Sequence, residues 1–133
     1  MNSGAIKVHI GADSDIVTAR QSGREMAARL GFTSTDQTLI ATAISELARN
    51  IVLYAQQGEI ILSVAEEGTR RGIGVIARDD GPGIPDVERV LQPGFSTSRS
   101  LGLGLSGVRR LVDEFKIASE VGHGTTVSVK KWK

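Results

Sequence analysis

Between residues 79 and 107 the chain changes character. On either side of this stretch apolar residues recur at helix or strand spacing. Inside it glycine, proline and serine predominate, and only a short helical pattern over 85–91 interrupts them. Such a segment cannot supply core, so it is a loop region held between two sets of regular elements. The flanking periodicities then decide the fold.

Residues 5–10 alternate, with Ile6, Val8 and Ile10 apolar, which predicts a strand. A helix follows over about 14–30, its apolar stripe being Ile16, Ala19, Gly23, Met26, Ala27 and Leu30. Gly31 stands where a left-handed cap would end it. Ser34 and Gln37 have capping-box spacing and open a second helix that runs to about Tyr54, with Ile40, Ile44, Leu47 and Ile51 facing the core. Gln56, Gln57 and Gly58 close that helix. Two strands are predicted next, 59–65 and 73–77, joined by a solvated hairpin loop around Glu66, Glu67, Gly68, Arg70, Arg71 and Gly72. Beyond the glycine-rich stretch come a helix over about 105–115 and strands at 117–121 and 125–131, with Gly122, His123 and Gly124 as their turn. Helices and strands are segregated instead of strictly alternating. The expected fold is therefore α+β: a two-layer sandwich with one mixed sheet covered by helices on one face. With 133 residues, 40% of them apolar, and no visible repeat or linker, one domain over 1–133 is expected.

Composition removes several function classes. The chain has no cysteine, which excludes disulfides, thiolate chemistry and cysteine-based zinc sites. No apolar run is long enough to span a membrane, and no signal peptide is visible, so a cytoplasmic location with no membrane partner is expected. The net charge is +1 and the basic residues are scattered, without the basic stripe of a nucleic-acid binder. His9 and His123 lack metal-ligand spacing.

Three separated features carry chemistry. Glu46 and Asn50 lie four apart on the second helix, on one face, while Leu47 and Ile51 turn to the core. An amide oxygen suits Mg²⁺, and a carboxylate one turn away suits proton abstraction from a hydroxyl. Next, Asp79-Asp80-Gly81-Pro82-Gly83-Ile84 ends a strand. Its aspartate can accept a hydrogen bond from an amino group, and its glycines let a ligand approach; an ordinary strand-ending turn would carry similar residues. Last, Gly102 and Gly104 precede a helix after a Ser/Thr run that includes Arg99. That arrangement offers backbone N–H groups to an anion, and a plain surface loop would look much the same. Neither a P-loop nor a dinucleotide fingerprint is present.

Taken in order, these features resemble the GHKL superfamily of ATPases and kinases, which includes gyrase-type ATPases, Hsp90, histidine kinases and MutL. The order is Glu and Asn on a helix, D-x-G-x-G, a lid, G-x-G opening a helix, then a strand pair with Gly124-Thr125. The resemblance implies ATP and Mg²⁺ as cofactors, with Asn50 on the metal and Glu46 as catalytic base. It also implies that Asp79 binds adenine, that Gly81 and Gly83 shape its pocket, and that Thr125 supports it. Gly102 and Gly104 fall on the phosphate side, and a lid over about 93–103 includes Arg99, which either meets a phosphate or is simply solvated.

Within the superfamily the chain looks most similar to the RsbT-type switch kinases of bacterial partner-switching systems. The resemblance rests on Ile44-Ser45-Glu46-Leu47-Ala48-Arg49-Asn50-Ile51, Asp80-Gly81-Pro82-Gly83-Ile84-Pro85-Asp86, Gly94-Phe95-Ser96-Thr97-Ser98 and Gly107-Val108-Arg109-Arg110-Leu111-Val112-Asp113-Glu114-Phe115. It implies a serine/threonine kinase acting on a STAS-domain protein of the stressosome. A PP2C-type phosphatase would be bound and activated after release from that scaffold. The alternatives are an anti-sigma factor kinase that binds a sigma factor, a non-catalytic nucleotide-gated binding module and, less in keeping with the lack of a transducer domain, a simple ATPase.

Overall fold

The computed structural model describes residues 5–85, 87, 91 and 104–133. The described elements are β1 (Ile6–Ile10), α1 (Asp13–Arg29), α2 (Ser34–Tyr54), β2 (Gly58–Glu67), β3 (Arg70–Asp79), α3 (Gly104–Leu111), β4 (Glu114–Glu120) and β5 (Gly124–Trp132). The strands form a five-stranded sheet in the order β1-β2-β3-β5-β4. The α+β sandwich holds, with one correction: every neighbouring pair is antiparallel, so the sheet is not mixed. The long connection after β3 brings the chain back so that β5 enters between β3 and β4, and the β4–β5 hairpin then pairs antiparallel on both sides.

Period-two alternation gives the sheet one apolar face. Ile10, Ile60, Leu62, Ile73, Val75, Ala77, Val127 and Val129 are buried on it and join Ile16, Met26, Ile40, Ile44, Leu47 and Ile51 of the helices in one cluster. The predicted stripe of α1 is buried at Ile16, Ala19, Gly23, Met26 and Ala27. Gly23 matters for packing, because a Cβ there would lie 2.1 Å from Ile44 Cδ1 of α2. α1 ends in the left-handed cap expected at Gly31, with φ +89. Phe32 N–H donates to Ala27 O and Gly31 N–H to Ala28 O, a Schellman pair, and Phe32 folds into the core.

Four boundaries differ from the sequence-based expectation. The cap of α2 sits one residue earlier: Thr33 is extended, and its hydroxyl accepts from Asp36 N–H at 3.1 Å. Ser34 is already helical, and Gln37 instead donates its amide to Phe32 O. The β2–β3 hairpin is tighter than predicted, since Glu66↔Arg71 and Glu67↔Arg70 are ladder pairs and not loop. Opposite charges directly across the strands keep the ladder going almost to the turn. Helix α3 stops at Leu111 instead of near 115. Glu114 and Phe115 belong to β4, where Phe115, Ile117 and Ser119 oppose Val129, Val127 and Thr125; a period of two has overtaken one of 3.6. Asp113 fixes the junction, its N–H donating to Lys130 O and its carboxylate accepting from Trp132 N–H. Of the predicted 85–91 helix, one helical bond is described, from Leu91 N–H to Val87 O. The rest of it, and the expected lid over 93–103, lie outside the described residues.

The displaced cap has a measurable consequence. Thr33→Ala is expected to destabilise the protein by about 1 kcal/mol in urea unfolding, and Ser34→Ala by only a few tenths. The reverse order would restore the cap to Ser34.

Candidate active site

Helix α2 is buried on all sides in its middle. Residues 43–48 are all buried, because the sheet, α1 and α3 surround them. Leu47 and Ile51 enter the core as expected. Glu46, one position before Leu47, is only 2% exposed. Its Oε1 accepts from Gly104 N–H at 3.3 Å, and its Oε2 lies 3.6 Å from Arg49 Nε. Among the described residues Glu46 Oε2, Arg49 Nε and Asn50 Nδ2 are buried without a hydrogen bond. Buried polar atoms are rarely left so. Three of them in one helical turn make this stretch a candidate site.

Gly104 has φ +57, a left-handed conformation that suits glycine. That turn of the backbone aims its N–H, at the first residue of α3, toward Glu46.

The second cluster forms at the end of β3. Asp79 pairs with Gly58 of β2 and Thr125 of β5. Its Oδ1 accepts from Gly81 N–H at 2.9 Å, an Asx-type turn. The glycines here let the backbone pack closely against neighbouring segments. A Cβ on Gly81 would lie 2.5 Å from Ala55 Cβ, on Gly83 2.4 Å from Glu120 O, and on Gly124 2.1 Å from Asp79 O. The sequence-based argument gave Gly81 and Gly83 to ligand approach or to an ordinary strand-ending turn, and Gly124 to the turn between the last two strands. Their first task is to let the 79–84 loop lie between the end of α2 and the β4–β5 turn.

Thr125 is held by a residue that the sequence reading did not single out. Ser119 Oγ lies 2.7 Å from Thr125 Oγ1, accepts from Ile84 N–H at 2.7 Å and donates to Gly124 O at 3.2 Å. Ser119 has one proton for two acceptors, Thr125 Oγ1 and Gly124 O, so the Ser119–Thr125 bond runs in either direction. In both, Thr125 Oγ1 keeps a lone pair for a donor that enters. The signal for Ser119 was its place opposite Thr125 in the hairpin register, which appears only once β4 is correctly bounded. Arg49 was visible beside Asn50, but a surface arginine would have looked the same.

The structure thus brings Glu46, Asn50 and Gly104 together in one cluster, and Asp79, Gly81, Gly83 and Thr125 in another. Gly102 and Arg99 lie outside the described residues. Helix α2 joins the clusters, with Glu46 at its middle and Ala55, its C-cap, against Gly81. The helical rise separates those two residues by roughly 13 Å.

The sequence signature described as "Histidine kinase-, DNA gyrase B-, and HSP90-like ATPase" matches residues 35–133. The chain belongs to this family. A GHKL relative, the serine/threonine-protein kinase RsbT of Bacillus subtilis (strain 168), is 55% identical over 126 residues, 94% of each chain. The expectation of a protein serine/threonine kinase is met by that match. The anti-sigma F factor of Geobacillus stearothermophilus is 35% identical over 121 residues, 85% of this chain and 81% of the relative. Among solved structures, the RsbU and RsbW domains of a Mycobacterium tuberculosis protein superpose with a TM-score of 0.61 at 25% identity. That match covers 96% of this chain and 31% of the other.

The site fits the nucleotide that a GHKL domain binds. It offers a backbone cradle that side chains would fill at one end, and unpartnered buried polar atoms at the other. Ser119→Ala leaves Ile84 N–H without its acceptor and the Thr125 hydroxyl without its partner. It is expected to weaken ATP binding about tenfold and to destabilise the fold by roughly 1–3 kcal/mol, read by calorimetry and thermal unfolding.

Proposed function

We propose that this chain is a serine/threonine kinase of a partner-switching system that phosphorylates a STAS-domain protein, from Mg-ATP, in the cytoplasm. The observation that carries the reading is the buried, half-partnered carboxylate of Glu46, one helical turn from Asn50 and in contact with the first residue of α3. The 55% identity to RsbT supports the acceptor type.

Each residue has a task. At the nucleoside end Asp79 and Thr125 present acceptors, which suits the amino group of adenine. Gly81 and Gly83 keep that pocket open by holding the loop against Ala55 and Glu120. At the other end Asn50 offers its amide oxygen to Mg²⁺, a cation that takes few protein ligands beside water and phosphate oxygens. Gly104 offers its backbone N–H to the phosphates at the start of α3, and Gly102 is assigned to the same phosphate side. Glu46 accepts the proton of the attacking serine or threonine hydroxyl. Bound Mg-ATP supplies the transferable phosphoryl group, and the chain's contribution is positioning and charge neutralisation. Residues 1–133 act as one domain, with a lid over about 93–103. After release from the phosphorylated scaffold the kinase binds and activates a PP2C-type phosphatase; nucleic acid and membrane are not partners.

The matches to anti-sigma F factors favour a second reading, in which the same kinase site is joined to sigma-factor binding. Pull-down against sigma factors separates the two.

The deciding test is transfer of label from γ-labelled ATP to STAS-domain proteins encoded nearby. Label is expected on a serine or threonine of one of them. Asp79→Asn is expected to abolish nucleotide binding, and Glu46→Ala to retain binding but lose transfer by at least about 100-fold. ATP binding without label on any STAS protein would point to a binding module. Normal transfer by Glu46→Ala would remove the base assignment.

A further inference from the structure

We propose that Arg49 is the positioning residue for Glu46: it holds the base by its Oε2 once Gly104 N–H is taken up by phosphate. This rests on the reading of Glu46 as the base.

A carboxylate that is 2% exposed needs donors or a countercharge close by. Among the described residues Glu46 has two such neighbours, Gly104 N–H at 3.3 Å and Arg49 Nε at 3.6 Å. The first belongs to the start of α3, where backbone N–H groups also suit an anion. Phosphate binding there and the hold on Glu46 use the same donor, so the base would lose its tether at the moment it is needed.

Arg49 stands ready to replace it. It sits one turn from Glu46 on the same helix, so its distance does not depend on where α3 lies. Its side chain is 27% exposed, against 49% for Arg70 and 51% for Arg78, which sit in surface pairs. Its Nε is buried without a hydrogen bond among the described residues, and so is the atom it faces, Glu46 Oε2. Donor and acceptor thus lie opposite each other with the bond unmade. The gap exceeds an ordinary N–H···O distance by only about 0.7 Å, within reach of a small side-chain rotation. Lysine would keep the charge at this position but lacks a donor at the Nε place. Asn50, the next residue, also has a buried Nδ2 without a hydrogen bond among the described residues.

The test compares wild type, Arg49→Lys, Arg49→Met, Glu46→Gln and the Arg49→Met/Glu46→Gln double variant. Transfer to the STAS acceptor gives kcat and KM for ATP, calorimetry gives ATP affinity, and nucleotide-free melts report folding. Arg49→Met is expected to lower kcat roughly 10- to 100-fold with KM and ATP affinity within about twofold of wild type. Arg49→Lys, which also serves should the methionine variant fold poorly, is expected to recover part of that loss. The double variant is expected to be no slower than Glu46→Gln alone, because Arg49 has nothing left to hold. Losses that multiply in the double variant, unchanged kcat in Arg49→Met, or a fall in ATP affinity at constant kcat would each overturn the proposal while a slow Glu46→Gln keeps the base reading intact. If Glu46→Gln transferred at the wild-type rate, the base reading itself would fall and this proposal with it.

Discussion

The site depends on the burial of one helix. Between 43 and 48 every residue of α2 is buried, and the same few turns carry both the core anchors and the polar groups of the site. Placing the Glu46 carboxylate there is unfavourable in itself, since a charge leaves water for partners that meet it only in part. Ile44, Leu47 and Ile51, all within 2% of full burial, offset that. Fully burying such a side chain contributes about 1.5–3 kcal/mol. The helix cannot roll to expose Glu46 without withdrawing these three from the core. The polar groups are therefore presented at an angle set by apolar packing.

The same reasoning extends to the far end of the site. Ala55 at the C-cap of α2 touches the place where a Gly81 side chain would be, Gly83 meets the backbone of Glu120, and Gly124 meets that of Asp79. Two segments distant in sequence, the end of α2 and the β4–β5 turn, thus converge on one loop, mostly through backbone and Cβ atoms. Such atoms have no rotamers, so a pocket built this way has little freedom to drift. The antiparallel order, with β5 placed between β3 and β4, is what brings Thr125 beside Asp79 at all.

Much of this was legible from side-chain periodicity. The stripes of α1 and α2 and the cap at Gly31 read correctly because helical spacing over long windows has no close competitor. Glu46, Asn50 and Asp79 were legible as a set because their order along the chain is distinctive. The errors fall where two local signals compete. Ser34 and Thr33 are both cap residues, and only backbone extension at Thr33 decides between them. At 112–115 a helix pattern and a strand pattern overlap, and pairing with β5 gives Glu114 and Phe115 to the strand. The antiparallel sheet and the role of Ser119 depend on which strands become neighbours, information that no local window contains.

The hold on Glu46 has the character expected of a part that must move. A hydrogen bond of 3.3 Å sits beyond the usual N–H···O range, and even charge-assisted bonds contribute only about 1.5–3 kcal/mol net. A multiply charged phosphate at the start of α3 competes for that N–H with more charge than one carboxylate carries. Exchange of one anion for the other therefore needs no large rearrangement of α2 or α3, both of which are anchored by apolar contacts elsewhere. On the proposed reading, nucleotide arrival and the transfer of Glu46 from Gly104 to Arg49 become one event, because a single backbone donor serves both anions in turn. Glu46 Oε1 would then be engaged when the site is empty and free to take a proton when it is filled, with Oε2 held by Arg49, a coupling that follows from where Gly104 stands.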